Sequence, residues 1–104
     1  MNNTGEFEKV FLLYALQNPH YLTTVEKGFF EIKEIDTLAV IVKAYWNKFK
    51  QTPTKEQLWL LVRSKEVEMD EKFYDKVFEN ALSTYDIEWV KKTAESWILW
   101  KNLD

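Results

Sequence analysis

The side chains best suited to chemistry in this chain are its one histidine, His20, and a run of carboxylates: Glu66, Glu68, Asp70, Glu71, Asp75 and Glu79. A histidine flanked by an acid and a hydroxyl would activate a nucleophile, and facing carboxylates would move protons or hold a divalent cation. His20 has no such neighbours in sequence and reads as a surface residue. The carboxylate run has the pattern of a helix start and its solvated outer face. A Ser/His/Asp set, an HExxH motif and a calcium-binding loop are all missing, and the two glycines, Gly5 and Gly28, cannot build a phosphate-cradling loop or a dinucleotide fingerprint. With no cysteine, disulfides, thiolate metal sites and thiol catalysis are also excluded. No catalytic residue, cofactor or metal is therefore expected, and the chain reads as a non-enzyme.

The elements that would position any site are helical. The 104 residues suffice for one domain with a core of its own. Phe7, Val10, Phe11 and Tyr14 recur at helical spacing, while Leu12, Leu13 and Leu16 make the other faces apolar, so 6–17 is expected to be a central, mostly buried helix. Asn18-Pro19 then stops that helix and starts a short one over 19–27, with Asn18 as its N-cap, Tyr21, Leu22 and Val25 inward, and Gly28 just past its end. After a hydrophobic connector at Phe29, Phe30 and Ile32, Asp36 is placed to cap a third helix over 36–50, with Leu38, Ile41, Val42, Tyr45 and Phe49 on one stripe. Thr54-x-x-Gln57 is a capping-box pattern that launches a fourth helix with Leu58, Leu61 and Val62 inward. Asp70 would cap a fifth over 71–83, with Phe73, Val77 and Ala81 in register. The expected architecture is all-α, a small orthogonal bundle of five to six helices.

The closing segment, 86–104, is apolar on two sides. On a helical wheel Ile87, Val90, Ala94, Trp97 and Ile98 share one face, while Trp89, Trp100 and Leu103 lie nearly opposite. One face can dock on the rest of the chain, and the other then needs a partner or a wrapped position of its own. Aromatic residues make up 16% of the sequence, five of them Trp, which is more flat apolar area than so small a core readily hides.

Charge is unevenly spread around a net of −3. Residues 37–65 hold six cations, Lys43, Lys48, Lys50, Lys55, Arg63 and Lys65, against the single acid Glu56, with Trp46 and Trp59 between them. Cations for phosphates and rings for bases are the mixture a small DNA-binding protein would use. The competing reading is the polar side of two amphipathic helices. The apolar runs are too short to span a bilayer, and the start MNNTGEFEK lacks the basic-then-apolar pattern of a signal peptide, so a cytoplasmic protein is expected.

The order of these motifs resembles the N-terminal domain of DnaB-type replicative DNA helicases, in particular the divergent phage-type members. The resemblance is carried by the opening helix Phe7–Leu16, then Asn18-Pro19 with Tyr21-Leu22, and then Phe29-Phe30. It continues through the helix ending Tyr45-x-x-x-Phe49, the Pro53-Thr54 restart into Leu58-x-x-Leu61, and Asp86-x-x-Trp89-Val90-x-x-x-Thr93-x-x-x-Trp97. The family's basic-aromatic start of the third helix is replaced by Asp36-Thr37-Leu38, and its Thr-Glu pair by Thr93-Ala94-Glu95. Such a likeness implies a globular domain over 1–85 and, over 86–104, the first helix of a helical hairpin. It implies a non-catalytic collar module that self-assembles into a ring and docks primase or a helicase loader, touching DNA weakly or indirectly. The family's ATP-driven motor is expected outside this sequence, the chain being an excised domain or a free-standing relative. Self-association is then placed on Trp89, Trp97, Trp100 and Leu103, with core packing as the competing reading of Trp97.

Overall fold

The computed structural model describes residues 4–79 and 85–102, and the side chains of 6–79 and 85–101. Within them lie six helices and no strand: α1 (Thr4–Gln17), a 3-10 helix (Pro19–Thr24), α2 (Lys33–Phe49), α3 (Lys55–Ser64), α4 (Glu71–Glu79) and α5 (Ile87–Asn102). The all-α bundle expected from the periodicity is the fold. Helix α1 is its centre, touching α2, the 3-10 helix, α4 and α5, while α2 packs on α3. The unbroken buried run Val10 to Ala15 explains that position, because a helix apolar on every side is stable only with neighbours all round it.

The helix ends follow local chemistry. At Thr54 the capping box is complete: the Gln57 N–H donates to the Thr54 hydroxyl at 3.1 Å, and the Thr54 N–H donates to Gln57 Oε1 at 3.0 Å. Asp70 accepts from the Lys72 N–H at 3.0 Å and Asp86 from the Glu88 N–H at 2.9 Å, so each opens its helix. The end of α3 is a Schellman closure, with the Val67 N–H donating to Val62 O at 3.2 Å and the Glu66 N–H to Arg63 O at 3.1 Å. Glu66 takes the left-handed corner, φ 57°, where glycine would be the usual occupant, and Lys50 does the same at the end of α2 with φ 58°.

Four expectations between Asn18 and Asp36 are corrected. The short helix expected over 19–27 starts at Pro19 but ends at Thr24 and is a 3-10 helix, where the Thr23 and Thr24 hydroxyls donate to the carbonyls of His20 and Tyr21, both at 2.8 Å. Those bonds reach back three residues, matching the tighter coil, and Val25 then turns extended. Asn18 holds the N-cap position but makes no cap bond; its Nδ2 donates backwards to Tyr14 O at 3.2 Å, closing α1 instead. Gly28 sits one element later than expected, at the third position of a turn closed by the Phe29 N–H on Glu26 O at 2.9 Å. Its φ of +90° is the conformation a type II turn demands there.

Asp36 is the fourth correction. Helix α2 starts three residues earlier, at Lys33, and Asp36 lies inside its first turns. Its carboxylate faces back along the connector, accepting from the Gly28 N–H at 2.9 Å and the Phe30 N–H at 3.1 Å. The two remaining connector amides, Glu31 and Ile32, donate to the carboxylate of Glu8 at 2.8 and 2.9 Å. Glu8 is wholly buried in α1 among apolar residues, so main-chain N–H groups supply the donors that water would otherwise provide. Two acids, one from each flanking helix, thereby satisfy four of the five amides of 28–32, and the Glu26 carbonyl takes the fifth.

Replacing Glu8 should therefore be costly. Glu8→Gln keeps one acceptor and turns an NH₂ group toward the second amide, and the expected loss is about 2–4 kcal/mol, since a buried charge-assisted bond contributes about 1.5–3 kcal/mol. Urea unfolding of Glu8→Gln beside the exposed control Glu6→Gln measures this; equal midpoints for the two variants would contradict the role given to Glu8.

Candidate functional site

The residues of α5 divide sharply by face. Val90, Ala94 and Trp97 are buried against the rest of the chain, and Ile98 is partly so. Trp97 is 4% exposed and fills a cage of rings, with centroids 5.0 Å from Phe11, 5.1 Å from Phe29 and 5.7 Å from both Phe7 and Phe30. Its place is the core reading, and it is removed from the expected self-association set: no part of that ring is free to meet a second subunit without unfolding the cage. The indole N–H has no acceptor in the cage, so the ring is held there by packing area, by mostly edge-to-face contacts and by the Lys101 ammonium 5.3 Å from its centroid. Ile87, expected inward, is 49% exposed at the first turn of the helix.

The opposite face holds the surface residues. Trp89 is 50% exposed, Trp100 58% and Leu99 68%. Trp89 leans on its own domain at one edge, stacked on Tyr85 with centroids 6.0 Å apart and edge-on to Phe7 at 6.2 Å. Trp100 lies three helical turns further on, about 16 Å along the axis and on nearly the same stripe. Leu103 lies outside the described residues. Leu99 was absent from the expected set, although the run Trp97-Ile98-Leu99-Trp100 carried the signal: four consecutive apolar residues cannot all face one core. Each half-exposed indole leaves about 100 Å² in water, and covering it is worth about 2–3 kcal/mol. Two such rings and a leucine on one helix make a patch able to hold a partner.

Several cations of the basic segment are engaged within the chain. The Lys43 ammonium donates to the Val25 carbonyl at 2.6 Å, tying α2 to the end of the 3-10 helix. Lys55 pairs with Asp75 across α3 and α4 at 3.1 Å. Lys48 and Lys50 lie over rings of their own helix, 5.3 Å from the Phe49 centroid and 5.6 Å from that of Trp46. Arg63 and Lys65 are exposed at the far end of α3, about 12–15 Å along its axis from Lys55. Trp59, read between the cations, packs on Tyr74 of α4 with centroids 4.8 Å apart.

His20 is exposed, and its ring lies 4.2 Å from that of Tyr21. The carboxylate run is distributed over structural tasks: Asp70 caps α4, Asp75 meets Lys55, and Glu66 occupies the left-handed corner. Among the described residues no group of three or more His, Cys, Asp or Glu side chains is arranged to hold a metal ion, and no helix is long and apolar enough to cross a membrane.

Tyr21 joins this surface to the core. Its hydroxyl donates to Glu95 of α5 over a long 3.5 Å bond. Burial pushes it from the ordinary 10.0 up to about 12, with Tyr14 and the Glu95 charge acting in the same direction. The native state thus holds this proton more tightly than the unfolded chain. The corresponding stability is complete below pH 10 and is lost as pH rises from there through about 12. The difference in urea midpoint between the parent and Tyr21→Phe should shift against the parent over that interval, and a constant difference would show that Tyr21 ionises as it does in water.

The two faces of α5 should separate in unfolding experiments. Under dilute conditions Trp97→Ala is expected to cost about 3–5 kcal/mol. Trp100→Ala should stay within about 0.5 kcal/mol of the parent. Comparable losses at both positions would mean that the exposed face is not free. The chain matches no protein-family model, no curated protein and no solved structure, so the reading of its function rests on these residues and their geometry.

Proposed function

We propose that this chain is the non-catalytic N-terminal collar domain of a DnaB-type replicative DNA helicase, assembling with copies of itself and docking a primase or helicase loader. The observation that carries the proposal is the unburied apolar face of α5, Trp89, Leu99 and Trp100, on a helix whose other face is already locked into the core. A collar needs this combination: a rigid helix anchored to a globular body and offering large side chains outward. The resemblance in motif order adds the family, and the multi-helix body with a docked closing helix accords with it. Lys43 and Lys55 are engaged by other groups of the chain, which favours the scaffold over a DNA-binding protein built on the basic segment. The parent machine would work in the cytoplasm, or in a host cytoplasm if the chain is phage-encoded, and the ATP-dependent unwinding would belong to a motor domain joined to this one.

Sedimentation equilibrium over a wide concentration range tests the assembly. The parent chain should show a rising mass, and Trp89→Ala/Trp100→Ala should weaken association at least tenfold, since each truncated anchor removes about 1–4 kcal/mol and 1.4 kcal/mol is a factor of ten. A monomer mass throughout the range would remove the scaffold reading. The helicase half is checked in the coding DNA, where a Walker motif is expected in the same or an adjoining reading frame; a motor-free neighbourhood would overturn it.

A further inference from the structure

A second surface lies on α3 and α4, apart from the face of α5. Glu56, Trp59 and Leu60 of α3 and Glu71, Tyr74 and Asp75 of α4 line an open groove of about 380 Å³ together with Lys55. Its floor is apolar. Trp59 lies against Tyr74, the Tyr74 hydroxyl donates to the Lys55 carbonyl, and Leu60 is 67% exposed beside them. Its rim is acidic, with three carboxylates against one ammonium, and that ammonium is taken by Asp75 at 3.1 Å. Glu56 and Glu71 are exposed and have no ion pair among the described residues. The negative field is felt inside the groove: burial raises the Tyr74 hydroxyl above its ordinary value, and the charges of Glu56 and Asp75 raise it further.

We infer that this groove docks a basic segment of a partner protein, an Arg or Lys beside an apolar residue. The long aliphatic stem of such a side chain would lie along Trp59 and Leu60 while its cationic head meets Glu56 and Glu71. The adjacent apolar residue would cover Leu60, the large side chain that α3 leaves in water. Polyanions are excluded by the same charges, since phosphates would meet two unpaired carboxylates at the rim. A purely apolar partner would bury those carboxylates without a counter-charge, which is costly. Charge and shape together therefore select a basic, amphipathic peptide.

The groove is tested on the full chain, labelled with ¹⁵N, by titration with the peptide Gly-Leu-Arg-Lys-Leu-Gly and with its counterpart carrying Glu in place of both cations. The expected result is amide shifts confined to Glu56, Trp59, Leu60, Glu71 and Asp75, caused by the basic peptide only. Glu56→Gln/Glu71→Gln should lower the affinity at least tenfold and Leu60→Ser severalfold, with the spectrum otherwise that of the folded parent. Shifts mapping elsewhere, equal shifts from the acidic peptide, or no shifts at millimolar peptide would overturn the inference. So would concentration-dependent shifts at the same residues without peptide, which would assign the groove to a contact between copies of this chain. Failure here leaves the reading of α5 untouched, because Trp89 and Trp100 are not part of the groove.

Discussion

The structure depends on the clamping of one short connector by two carboxylates. Residues 28–32 lead into α2 without regular structure and turn Phe30 into the core, and amides left unpaired on that path would be costly. Glu8 from α1 and Asp36 from α2 remove that cost by accepting from four of its amides. Phe29 and Phe30 can then turn their rings toward Phe11 and Trp97, so the polar clamp determines where the aromatic cage is built. The cage in turn fixes the rotation of α5, because Trp97 must enter it. Which residues α5 shows to solvent is settled by an acid buried in a different helix.

Much of this was legible in the sequence wherever the signal was local. The capping box at Thr54, the cap Asp70 and the all-round apolar run of α1 each act within a few residues, and each appears in the fold as read. Signals that act over longer separations were not legible. Asp36 looks like an N-cap because it precedes an apolar helix, yet its partners lie six and eight residues upstream, in a connector whose path depends on Glu8. Glu8 itself, between Phe7 and Lys9 and two residues after Glu6, looks in the sequence like any charged residue of a helix start. The Thr23-Thr24 pair could have announced the shortened helix, since hydroxyls that bond back three residues compete with α-helical continuation.

The same distinction runs through the surfaces. Counting cations in 37–65 suggests one basic patch, but the fold assigns Lys43 to a carbonyl and Lys55 to a carboxylate of another helix. Counting rings in 86–104 identifies an excess without saying which ring is surplus; the structure puts Trp97 inside and leaves Trp89 and Trp100 out. Tyr74, whose sequence neighbours gave no hint of its importance, links α4 to α3 through its hydroxyl and forms the floor of the acidic groove. Helical periodicity predicts that a residue faces inward or outward, whereas the identity of its neighbour comes from chain separated by tens of residues.

The unequal surroundings of the tryptophans have an optical consequence. An indole sealed among hydrocarbon rings emits toward the blue, and one relaxed by water emits toward the red; Trp97 belongs to the first kind, Trp89 and Trp100 to the second. The unmodified chain therefore carries a built-in fluorescence gauge. Any event that covers the outer rings moves the emission blueward, while opening the cage around Trp97 moves it the other way, so coming together and coming apart report with opposite sign.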